Sequence, residues 1–213
     1  YLIERDADGT SLIGFYHRQL DEVVREKYLA VRDSRARHGA LARYYADQPL
    51  YLETTAQRTP NLRKLSELAY QQAHAGWAEA LKTTLTDFDF LYERVANSGP
   101  QAAIEDYDLT AAPALSASGE MRRCGPSLTL IQDALRLSAP VSARDATLLP
   151  GQLVGRLAGS SQAEIEALLD GARAWRGAPW LQPLTASLAP AGGPLIATLT
   201  GHSYHVNAVA ITS

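Results

Sequence analysis

The chain has 213 residues, 46% of them hydrophobic and 20% charged, enough for one sizeable core or two smaller ones. Its 20 basic and 23 acidic side chains are well mixed and leave a net charge of -3, so no basic footprint for nucleic acid or anionic lipid is present. Cys124 is the only cysteine, which excludes an internal disulfide framework or a Cys-rich zinc site and fits a reducing, cytosolic setting; no apolar run approaches the ~20 residues of a membrane span.

Residues 1–16 read as a β-hairpin, with Tyr1–Ile3 and Leu12–Tyr16 as strands and Asp6 to Thr10 as the turn. From His17 the period changes: Leu20, Val23, Val24 and Tyr28 share one helical face opposite Asp21, Glu22 and Arg25. A series of helices follows. The first is capped by Asp33 or Ser34, carries Leu41, Tyr44 and Tyr45, and ends before Pro49. The second starts at Thr59-Pro60, buries Leu62, Leu65, Leu68 and Ala69, and stops at Gly76. Trp77–Leu85 and Phe88–Val95 are two more, the latter capped by Thr86 or Asp87; Ser98-Gly99-Pro100 then begins Gln101–Leu109.

Residues 110–126 are rich in Ala, Ser, Pro and Gly without an apolar period and read as an exposed loop. Helices resume at Ser127–Leu137, Leu148–Leu157 and Gln162–Trp175. Residues 179–194 contain four prolines and two glycines and read as a linker to two strand-like runs, Leu195–Leu199 and Val206–Ile211, around a turn at Gly201-His202-Ser203. Two strands alone are barely stable, so the sheet is expected to be completed by residues beyond Ser213. With Tyr1 already inside a strand-like run, both ends are expected to be cuts through a longer polypeptide. No internal repeat has a fixed spacing, so the body reads as an irregular helical bundle or short superhelix.

Enzyme signatures are missing from this stretch: no glycine-rich phosphate loop, no G-x-S-x-G elbow, no His-x-x-x-His pair. The acidic run Glu105-Asp106-Tyr107-Asp108 invites a divalent ion, yet neighbours in a helix diverge and no second ligand set lies nearby, so a solvated helix face is the better reading. Cys124, beside Arg122 and Arg123 in the expected loop, would have a lowered pKa; nothing else suggests a nucleophile. His38 and His74 fall on helices among charged or small residues and read as exposed and idle. His17 stands where the hairpin meets the helix; there an imidazole either bonds to backbone or water, which the residues themselves favour, or adds a donor to an anion at the helix start.

Two stretches resemble known families. PLIATLTGHSYHVNAVAITS, residues 194–213, resembles the entry to a WD-repeat β-propeller, with the Gly201-His202 pair and an innermost strand at Val206–Ile211, though less than one blade of ~40–45 residues is present. The rest is similar to the segment before the propeller in the apoptotic protease-activating factor and its bacterial relatives, the NB-ARC class of STAND P-loop ATPases. RDADGTSLIGFYHRQLDEVV looks like the wing and following helix of that family's winged-helix domain; TLTDFDFLYERVANSGPQAAIEDYDL (residues 84–109) and IQDALRLSAPVSARDATLLPGQLVGRL (residues 131–157) look like its helical domain. The resemblance covers nearly the whole chain.

What it implies is a non-catalytic regulatory segment. Tyr16-His17-Arg18 sits where that family has a Met-His-Asp-type motif whose histidine contacts the β-phosphate of bound ADP, so His17 becomes the nucleotide-sensing candidate, with Arg18 replacing the acidic third residue. The nucleotide, ADP or ATP, would be held by an upstream domain, leaving the fragment itself without cofactor or metal. The implied division is 1–30 winged-helix remainder, 31–178 helical arm, 179–194 linker and 195–213 first propeller strands. Partners would be the flanking nucleotide-binding domain and propeller, with homo-oligomerisation on activation in the cytoplasm. Two rivals remain: a plain protein-interaction helical module, and an enzyme using Glu105, Asp106 and Asp108 to bind a metal.

Overall fold

The structure is a computed structural model, and it describes residues 2–7, 10–15, 18–20, 22–23, 31–53 and 58–195. It is mainly α, as the sequence reads. The N-terminal hairpin is present: β1 (Leu2–Ala7) pairs antiparallel with β2 (Thr10–Phe15), from Leu2 opposite Phe15 to Ala7 opposite Thr10. Asp6 and Thr10, expected in the turn, are therefore in the ladder. Residues 18–20 and 22–23 are helical (α1), with Arg18 Nε donating to Glu22 Oε1 at 2.7 Å one turn away.

Helix α2 (Val31–Asp47) starts before the expected cap at Asp33 or Ser34 and stops short of Pro49. Its inward face is also not the expected one. Gly39 and Ala42 are buried, whereas Leu41 and Tyr44 are exposed. The small residues let the backbone approach its neighbour, since a Cβ at Gly39 would lie 3.1 Å from the Trp77 ring. A short second hairpin, β3 (Tyr51–Glu53) with β4 (Arg58–Pro60), takes up the residues read as a helix start at Thr59-Pro60. The start moves to Asn61, whose side chain accepts from the Lys64 N–H at 3.1 Å, and α3 (Leu62–Ala75) follows. It ends as expected at Gly76, in the left-handed conformation at φ 77°, with the Gly76 and Trp77 N–H groups donating back to Ala73 O and Gln72 O.

α4 (Ala78–Thr86) leads into α5 (Phe88–Asp108), capped by Asp87, whose Oδ1 accepts from the N–H groups of Asp89 and Phe90. Gly99 breaks α5 at φ 84° and ψ 161°, ahead of Pro100, so two helical pieces meet there as the sequence implies. The expected loop over residues 110–126 is corrected. After two short 3₁₀ turns, Ser118 caps α6 (Gly119–Ser142), and Leu115, Met121 and Cys124 are buried. Gly125 and Pro126 lie inside the helix; their low helix propensity is outweighed by the burial of Met121, Cys124 and Leu128 along one face.

α7 (Leu149–Leu157) and α8 (Ala163–Ala174) complete the core, with Leu149, Leu153, Ile165, Leu168 and Leu169 fully buried. One cluster runs through α3 to α8; a smaller one joins Leu65, Leu68 and Phe90. Of the expected core residues, Leu65, Leu68, Phe88, Phe90, Leu91, Ile131, Leu135 and Leu153 are buried. Helix α8 comes very close to α5, because a Cβ at Gly171 would stand 2.6 Å from Phe88 Cβ. The expected strands Leu195–Leu199 and Val206–Ile211 lie, apart from Leu195, outside the described residues.

Candidate functional site

The polar side-chain ties within the body concentrate on the kinked helix α5. Arg94, one turn before the Gly99 break, donates from Nε and Nη2 to both carboxylate oxygens of Asp106, at 2.8 and 3.2 Å, on the far side of the break. Its Nη1 also reaches Ser98 Oγ at 3.2 Å. This two-pronged pair fixes the angle between the halves of α5. Burial pushes the Asp106 carboxyl up from its ordinary range, while Arg94 pulls it down; the bidentate geometry speaks for the ionised form. Next to it, the Tyr107 hydroxyl, held neutral by burial, donates to Leu85 O at 2.7 Å and ties α5 to α4. From α6, Gln132 Nε2 donates to Ile104 O and to Asp108 Oδ1, at 3.0 and 2.7 Å.

The acidic run is thus solvated only in part, at Glu105 and Asp108. Asp106 and Tyr107 are buried; Asp108 is exposed but bonded to α6, and Glu105 is exposed and accepts from Gln101. Glu105, Asp106 and Asp108 make three separate contacts, and among the described residues no group of three His, Cys, Asp or Glu side chains is placed to hold a metal ion.

At the other end of the body, residues 179–194 have neither helix nor strand, and part of them lies along α7. The Ser187 and Leu188 N–H groups both donate to Gly155 O at 3.0 Å, and Arg156 Nη1 donates to Ala189 O at 2.9 Å. The absence of a side chain at Gly155 makes room, since a Cβ there would come within 2.9 Å of the Leu188 side chain. Arg156 also donates to Ser138 Oγ and Leu137 O, so one guanidinium joins this segment, α7 and α6. Trp180 packs on the core, yet Leu181 and Leu184 are 94% and 95% exposed, and Leu181 lines a cavity of about 420 Å³ together with Leu148 and Trp180.

The remaining sequence candidates divide. His17, the nucleotide-sensing candidate, and His202 of the Gly-His pair lie outside the described residues. Cys124 is not in a loop with a lowered pKa; it is fully buried in α6, and burial raises its thiol. His38 and His74 are half-buried and not idle: their rings lie 5.1 Å apart, centre to centre, with Tyr70 4.0 Å from His74. Sequence reading missed this cluster because His38 comes from α2, and no local spacing links it to Tyr70 and His74 of α3. It also missed Arg94 and Arg156. Each is an arginine beside apolar positions, a pattern that side-chain snorkelling produces far more often than burial with a partner.

No protein-family model matches the chain, and no solved structure matches it. Two curated proteins do. One, from Mus musculus, is 31% identical over an alignment 246 positions long that takes in 98% of this chain; the other, from Homo sapiens, is 33% identical over 247 positions that take in 99% of it. Both carry the description "NACHT domain- and WD repeat-containing protein 1". The chain spans about 15% of the length of each. Among the described residues no helix is long and apolar enough to cross a membrane.

Proposed function

From homology over nearly its whole length to one segment of NACHT- and WD-repeat-containing proteins, we propose that this chain is the regulatory arm of a STAND ATPase. In this reading it is non-catalytic and joins a nucleotide-switch core to a WD-repeat sensor propeller. Residues 1–30 would close a winged-helix domain, 31–178 form the arm, 179–194 lead out of it and 195–213 enter the propeller. The core would hold ADP at rest, ATP once activated, and the activated cytoplasmic protein would self-associate. The nucleotide, oligomer and compartment belong to the longer protein.

The observation that carries the reading is the homology to proteins whose name joins a NACHT domain to WD repeats. The packing suits it. Helices α4 to α8 share one core and the α5 break is bridged by a bidentate ion pair, so a force applied at one end moves the body as a unit. A propeller ligand would shift the resting state only by binding one arrangement more tightly than the other.

The experiment is His17→Ala in the full-length protein, with bound nucleotide counted by chromatography after dialysis. Faster loss of ADP is the expected outcome. Retention equal to the unsubstituted protein would remove the nucleotide linkage and favour a plain protein-interaction module.

A further inference from the structure

We propose that His38 and His74 form a binding site for a late first-row divalent cation of the Zn²⁺ type, clamped between α2 and α3. Hydrogen bonding fixes both imidazoles in the form a metal requires. Gln71 Nε2 lies 2.8 Å from Glu67 Oε2, the other oxygen of which, Oε1, is ion-paired with Arg63 at 3.0 Å. The amide nitrogen must therefore face Glu67, which turns the amide oxygen toward His38, where Oε1 stands 2.7 Å from Nδ1. An amide oxygen only accepts, so His38 Nδ1 carries the proton. For His74 the partner is the Tyr70 backbone carbonyl, 3.0 Å from Nδ1, and the same conclusion holds.

Both Nε2 atoms consequently present a lone pair, and neither meets a hydrogen-bond partner among the described residues. Imidazoles that ligate a metal carry this same outer support, one ring N–H donated to a carbonyl or carboxylate. Spacing agrees. Two imidazole nitrogens about 2.1 Å from a tetrahedral ion place their ring centres about 5.2 Å apart, and the observed separation is 5.1 Å.

Access is open, because the two rings line one cavity of about 380 Å³ together with Ser34, Arg35 and Ala112 to Ala114. No third His, Cys, Asp or Glu completes the set among the described residues. Solvent or an anion fills the other positions, and Arg35, whose Nη2 donates to Ala114 O at 3.3 Å, supplies the charge to hold an anion there. Imidazole ligands select Zn²⁺, Ni²⁺ or Cu²⁺ over Mg²⁺ and Ca²⁺. An ion here would cross-link α2 to α3.

The test is calorimetric titration of the full chain with ZnCl₂, repeated for His38→Asn and His74→Asn, with MgCl₂ as the hard-cation control. Expected are one Zn²⁺ per chain, no Mg²⁺ uptake, and at least about a ten-fold loss of affinity in each variant. No Zn²⁺ uptake, or uptake that neither substitution weakens, overturns the site. Should the variants not fold, mass spectrometry of the unsubstituted chain treated with diethyl pyrocarbonate decides. Zn²⁺ must protect both His38 and His74, and modification at an unchanged rate rejects the proposal.

Discussion

Asp106 illustrates how a side chain can be legible as charged and illegible as buried. The sequence displays it between two acidic neighbours, Glu105 and Asp108, and only the folded chain brings Arg94 against both of its oxygens. Removing the arginine alone, in Arg94→Ala, strands a carboxylate in the core and is expected to cost about 3–5 kcal/mol in urea unfolding. The pH dependence has an unusual sign. Burial raises the folded-state pKa of Asp106, so its contribution is fully present below the unfolded carboxylate value of about 3.9 and is lost as pH rises through the folded value. The stability of the unsubstituted chain relative to Asp106→Asn should fall as pH rises from the ordinary carboxylate range upward. A difference that grows with pH instead would show that Arg94 outweighs burial. Cys124 was misread for a related reason. Arg122 and Arg123 flank it in sequence, but the thiol points into the core and its surroundings raise the pKa.

At the scale of elements, the legible features are those encoded by neighbours in sequence. The left-handed stop at Gly76, the Asp87 cap and the break at Gly99 rest on one or two residues each, and all three are where the sequence puts them. Gly99 has open space where a Cβ would go, yet its φ of 84° and ψ of 161° are strained for any other residue. Gly99→Ala should therefore cost about 1–3 kcal/mol through the backbone alone, read as a lower urea midpoint with unchanged m-value. Less legible were the features set by distant partners. The β3–β4 hairpin depends on Tyr51 reaching Glu93 at 2.8 Å and on Arg58 lying over the Tyr51 ring. The buried stretch of α6 depends on helices on either side of it in sequence, and a window rich in Ser, Gly and Pro gives no hint of that. Leu65, fully buried beside Leu68 and Phe90, was visible from periodicity alone; Leu65→Ala should cost about 2–5 kcal/mol, and an unchanged thermal midpoint would contradict its place in the core.

For the whole molecule, fold class was readable because helical periodicity repeats many times, whereas the functional assignment rested on resemblance. Curated relatives from mouse and human match 98% and 99% of the chain, which spans about 15% of each of them. The candidate sites fared differently: His17 is outside the described residues, and the histidine pair on α2 and α3 emerges only when two helices are brought together. One buried atom offers a way to watch this body work. With a single sulfhydryl per chain, shut inside α6 at 0% exposure, alkylation by a maleimide dye has to wait for the helices around it to part. Labelling speed thus becomes a clock for breathing of the interior, with no second thiol within these 213 residues and the Cys124 peptide followed by mass spectrometry in the longer protein. If the arm stays intact while the longer protein switches state, that clock should tick equally slowly before and after activation; a burst of labelling on activation would mean that the body itself comes apart.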